Sequence, residues 1–277
     1  MIKLAVFLFF GLISLAAGKK EDVSQSKEIV EIAQNLILQK DREQAIRILS
    51  KALQSEKNKS MQMEIRSILR DIGSLFLYDK AQQEYESSIN FKKTDPIKWL
   101  AAVEKAQKIE PDNTLIMMES VRGWINRKNL EKAKETWDEF RSKNQYDKNV
   151  VLASVFLALA SNDNKEFHSA KSKLKDLQLE NFSQIASYVD FLEKVSNGNR
   201  EKAYAGLPAL KKEDSQNPQI LYWENRLAPK GAADGPASTN LKSDEEPLCP
   251  AFPETYYRRY QYDLFFCSPS LEYFFKL

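Results

Sequence analysis

Side chains able to do chemistry are few in this chain and poorly grouped. The single histidine, His168, has no second imidazole with which to share a metal ion or relay a proton. It reads as a surface or helix-start residue with no catalytic duty. No serine stands in a Gly-x-Ser-x-Gly nucleophile elbow. Aspartates and glutamates are abundant but spread over solvated positions, with no pair singled out by spacing. Eight glycines in 277 residues are too few for a glycine-rich phosphate cradle. The expectation is a chain that is not an enzyme, with no catalytic residue, no metal ligand and no cofactor. Its formal net charge of +2, from 41 Lys+Arg against 39 Asp+Glu, argues against general nucleic-acid affinity.

The two cysteines, Cys249 and Cys267, take their meaning from the N-terminus. Met1-Ile2-Lys3 carries one positive charge. Leu4–Ala17 is an uncharged apolar run, closed by Ala16, Ala17 and Gly18 before Lys19-Lys20-Glu21-Asp22. This is the three-part plan of a secretory signal peptide over residues 1–18, cut between Ala16 and Lys19. The run is short for a bilayer-spanning helix of ~20 residues, which leaves an uncleaved anchor as the lesser alternative. No cysteine follows to carry a lipid. Export places Cys249 and Cys267 in an oxidising compartment, periplasmic or extracellular, where a disulfide is the first expectation and two buried thiols the second. The loop it would close stabilises by ~3 kcal/mol in the chain-entropy model.

Whatever these residues do, a helical body must position them. Six of the ten prolines lie beyond residue 228, and only four prolines and four glycines fall between Lys19 and Leu227. Because Pro breaks helices and Gly weakens them, that depletion predicts a mostly helical segment over 23–227. Apolar residues recur there at three- and four-residue spacing. Ile29, Ile32, Ala33, Leu36 and Ile37 form one stripe; Gln39–Arg42 turns the chain; Ala45, Ile46, Leu49, Ala52 and Leu53 form the next. The pattern returns over 115–126 and 130–140, then 151–159 and 167–177, then 185–195 and 201–210. Asp95-Pro96 opens a further helix with an N-cap and a first-turn proline. Residues 61–93 parse as one long bent helix or as two helices broken near Gly73–Asp79. Pro208 predicts a kink or an early end in the last helix.

Helices of ~14 residues alternating with short turns at about 30–40-residue intervals mark an α-solenoid. The hairpins resemble tetratricopeptide repeats over about 26–215. Ala33, Ala45 and Ala52 are spaced as that family's small positions are, and Ala158 and Ala170 repeat the first interval. Gln39–Ala45 and Asn197–Ala203 resemble its inter-helix turn, and Lys105–Asn113 its closing segment. Val121 and Phe140 depart from its small positions, and other helix-hairpin arrays share much of the pattern. Trp124 and Trp137 read as wedges between hairpins.

The resemblance implies a non-enzymatic scaffold holding a protein or peptide in a groove lined by first helices. Carried over position by position, the lining is Met118, Arg122, Asn126, Val155, Leu159, Asn162, Tyr188 and Leu192. That set is apolar with polar edges; taken singly, Leu159 and Leu192 read equally well as core.

A linker rich in Pro, Gly, Ser and Ala follows over 228–246. Residues 247–277 then hold ten of the chain's 30 aromatics, too dense a cluster to stand exposed on a monomer. Tyr256, Tyr257, Tyr260, Phe265 and Phe266 lead it. They would cap the solenoid, contact another protein from a disulfide-clamped segment, or touch a membrane interface, where tyrosines beside Arg258 and Arg259 are at home. The sequence as a whole predicts an exported all-α scaffold or adaptor of a bacterial envelope. The alternative is a structural subunit of an envelope assembly that docks through its C-terminal segment.

Overall fold

The computed structural model describes residues 20–91, 95–177, 179, 182–213 and 218–228. Within these lie twelve α-helices and no strand: α1 (Lys20–Leu38), α2 (Arg42–Ser55), α3 (Lys59–Ile72), α4 (Asp79–Phe91), α5 (Pro96–Ile109), α6 (Thr114–Asn126), α7 (Leu130–Arg141), α8 (Lys148–Ser161), α9 (Asn164–Asp176), α10 (Phe182–Ser196), α11 (Arg200–Glu213) and α12 (Pro218–Leu227). The 1–18 segment and the stretch 229–277, with Cys249, Cys267 and the aromatic residues, lie outside the described residues. No helix among the described residues is long and apolar enough to cross a membrane.

Asx residues start seven of these helices. Asp41, Asn58, Asp95, Asn113, Asn129, Asp147 and Asp163 each accept a hydrogen bond from the first-turn backbone of the helix that follows. Each cap satisfies amide donors that the helix itself leaves open, at ~1 kcal/mol apiece.

Four hairpin turns share one backbone device. Lys40, Lys128, Asn162 and Gly198 take left-handed φ values of 65°, 60°, 54° and 75°. The residue after each donates its N–H five residues back: Asp41 to the Leu36 carbonyl at 2.8 Å, and Asn129 to Trp124, Asp163 to Ala158 and Asn199 to Lys194 at 2.9 Å each. This is a Schellman stop. The three later left-handed positions fall 34 and 36 residues apart, so the repeat is written in the backbone as well as in the side chains.

Packing follows chain order. α1 lies on α2, α2 on α3, α4 on α5, α5 on α6, and so on through α7, α8 and α9; α10 lies on α11 and α11 on α12. Next-but-one helices also meet, α6 with α8 and α8 with α10. The result is an all-α, solenoid-like run of helices. The small residues do what close approach requires: Ala33, Ala45, Ala52, Ala106, Ala133, Ala158, Ala170 and Ala203 are all buried. Trp137 is buried and donates its indole N–H to the Val150 carbonyl at 3.2 Å. Trp124 is half-buried against the same core.

Between Met61 and Phe91 there are two helices, and the break at 73–78 is held by a buried polar junction. The Arg42 guanidinium donates to the Leu75 carbonyl and pairs with Glu110, both ion-pair side chains fully buried. Its other terminal nitrogen lies 2.7 Å from Asp112. Glu110 in turn accepts the N–H groups of Leu77 at 3.2 Å and Tyr78 at 3.3 Å, and the Asn113 amide at 3.0 Å. The backbone groups of this partly buried loop have their partners supplied by side chains from two other turns.

Of the two outcomes expected at Pro208, the early end does not occur: α11 runs through Pro208 to Glu213. The proline forfeits one hydrogen bond, to the Tyr204 carbonyl, and Tyr204 stands on the exposed side of the helix, where solvent can replace the lost donor. A twelfth helix also follows the hairpin that the sequence pattern closes near Leu210. Ile220, Trp223 and Leu227 bury its inner stripe, and the Trp223 indole donates to the Tyr188 hydroxyl at 3.3 Å.

Candidate functional site

The eight expected lining residues come from consecutive first helices: Met118, Arg122 and Asn126 from α6, Val155 and Leu159 from α8 with Asn162 at its C-cap, and Tyr188 and Leu192 from α10. Since α8 touches both α6 and α10, the fold brings them into one ribbon. The ribbon is not open. Met118, Arg122, Val155, Leu159, Tyr188 and Leu192 are buried; Asn126 is half-buried, and only Asn162 is exposed.

The cause is the composition of α8. From Asn149 to Ala160 no residue is more than 7 % exposed. A helix with an apolar stripe leaves one side to water, whereas one that is apolar all round must be covered all round. Arg122 survives in this setting because Glu119, one turn earlier, accepts from it at 2.7 Å, with both side chains buried. That pairing was available from the sequence as an i, i+3 spacing of opposite charges.

Asp147 is a described residue whose electrostatics depart far from the ordinary. Burial pushes its carboxyl up to about 7, against the hydrogen bond from Thr114, the amides of Asn149 and Val150, and the Lys148 charge, all of which pull it down. Such a carboxyl is suited to proton transfer when it faces a substrate. Here one oxygen caps α8 and the other accepts the Thr114 hydroxyl at 2.9 Å. A Cβ on Gly73 would collide with that second oxygen and come within 2.8 Å of the Thr114 methyl. Its surroundings are those of a structural joint between the α3–α4 loop, α6 and α8.

His168 lies in α9, exposed, with its ring edge-on to Phe167 at 5.7 Å between centroids. Among the described residues no three His, Cys, Asp or Glu side chains are placed to hold a metal ion.

A recess of about 100 Å³ opens where α3, the α7–α8 loop and α9 converge. Its walls carry Arg66, Arg70, Tyr146 and Lys173. These come from three segments far apart in the chain, and each reads locally as a solvated helix face or loop, so no spacing rule selects them. Comparison of the chain with family models, with curated proteins and with solved structures finds no match.

Proposed function

We propose that the protein is an exported, non-catalytic scaffold of tetratricopeptide type, which holds a protein or peptide partner in the cell envelope through its aromatic C-terminal segment. The observation that carries this reading is the end of the array. α12 buries Ile220, Trp223 and Leu227 against the preceding hairpin and turns Asn225 and Arg226 to solvent. That is the form a terminal capping element takes in a repeat array. With the cap supplied by α12, residues 247–277 are not needed to cover the last hairpin, and their ten aromatics are left for a contact elsewhere. On this reading Cys249 and Cys267 form a disulfide that holds Tyr256, Tyr257, Tyr260, Phe265 and Phe266 in a fixed presentation. Asn126 and Asn162, at the accessible edge of the first-helix ribbon, supply secondary contacts.

Deletion of 247–277 tests it. The truncated chain is expected to keep its melting temperature and to lose its stoichiometric partner on purification from the native envelope. A lower melting temperature with the partner retained would return the segment to a capping role. A change in electrophoretic mobility on reduction is expected from the disulfide, and two free thiols in the mass spectrum would dismiss it. The second reading, a permanent subunit of an envelope assembly, is favoured by the same segment and predicts a complex that resists high salt.

A further inference from the structure

We propose that the recess between α3, the α7–α8 loop and α9 is a binding site for an acidic peptide segment that carries an apolar side chain beside its carboxylates. Its lining brings Arg66, Arg70 and Lys173 together against one carboxylate, Asp176. The three cations are not equivalent. Arg70 lies 2.9 Å from Asp71, a carboxylate that also takes Lys148 at 2.7 Å. Arg66 and Lys173 have no carboxylate within 4 Å among the described residues. Two uncompensated cations beside a cavity raise the local potential and favour an anion.

The rest of the wall narrows the class of anion. The Arg66 guanidinium sits 5.7 Å from the centre of the Tyr146 ring, which fixes it at the cavity while leaving its N–H edge for a planar acceptor such as a carboxylate. Met63 is 54 % exposed at the rim, and Leu177 adds a second apolar surface. A bare inorganic anion has no use for either. A peptide with acidic and aliphatic side chains in sequence uses both, and the flexible thioether of Met accommodates differing aliphatic shapes. No residue lining the recess belongs to 247–277, so deletion of that segment and substitution of the lining are separate tests.

The probe is a fluorescein-labelled peptide of four glutamates around one leucine, titrated at low salt into the full chain and followed by anisotropy. Saturable binding is expected, weakened roughly tenfold or more by R66E/K173E and progressively by added salt. The exposed-site variant K80E/K108E, on α4 and α5, should bind as the parent does. K173E alone replaces an exposed side chain and should already weaken binding, which keeps the test valid if R66E/K173E misfolds. Equal affinity for K173E and K80E/K108E would overturn the proposal. So would undiminished binding of a peptide with glutamines in place of the glutamates. Displacement by inorganic phosphate at concentrations that chloride does not match would assign the recess to free oxyanions instead.

Discussion

Asp147 shows how far one buried group can set a response that the composition hides. Its carboxyl titrates near 7 in the folded chain and near its ordinary value once unfolded. Between about pH 4 and about pH 7 the folded state therefore holds a proton that the unfolded state has released. Stability from this group is complete at the acid end, declines as pH rises through that window at up to ~1.4 kcal/mol per pH unit, and is flat above it. Asp147→Asn keeps the side-chain oxygen that caps α8 and cannot ionise. In urea denaturation the variant should match the parent near pH 4 and exceed it near pH 8. A gap that does not change with pH would show that ionisation of Asp147 carries no such linkage. None of this was readable from sequence, where Asp147 is one of many helix-capping aspartates; its burial depends on Thr114 and Gly73, 33 residues or more away.

Helices and turns were largely legible, because their signals are local. Most stripes at three- and four-residue spacing become buried helix faces, but in α1 Ile32 stands 45 % exposed and Val30, outside the expected stripe, is buried with Ala33. Asp95-Pro96 starts α5 where the cap chemistry places it. α12 has the same signal in Ile220, Trp223 and Leu227, but over only ten residues between two proline-containing stretches, where a short stripe is hard to tell from a loop. The 73–78 break was ambiguous because its hydrogen-bond partners lie in other turns. The left-handed turns give the prediction at this scale. Lys128 adopts φ 60° with a side chain that resists it, so Lys128→Gly should raise stability by about 0.5–1 kcal/mol, and Gly198→Ala should lower it by about 1 kcal/mol. Shifts in the urea midpoint of the same sign in both variants would contradict the assignment.

Over the whole molecule, three apolar cores occupy successive parts of the array: Val30–Ile72, Ala81–Ile116 and Met117–Leu227. Local contacts alone would let such units unfold separately. The Arg42–Glu110 junction ties the first to the second, since α2 and the α5–α6 turn meet there around the α3–α4 loop. Arg42→Ala strands a buried carboxylate and should cost about 3–5 kcal/mol. Calorimetry should show the loss at the N-terminal end first, as a transition that splits from the main one. A single transition, merely shifted, would mean that the cores are coupled through other contacts. The candidate site was less legible than the fold: family-like spacing puts the eight expected lining residues on α6, α8 and α10, with Asn162 at the α8 C-cap, yet burial depends on all sides of a helix and spacing describes one. α8 carries a last consequence. Repeat arrays commonly change length by gaining or losing a unit, which requires that any hairpin be able to serve as an end. A helix without a polar side cannot be an end. Fragments cut on either side of α8 would expose its apolar surface and aggregate, so the array is locked in length at its middle.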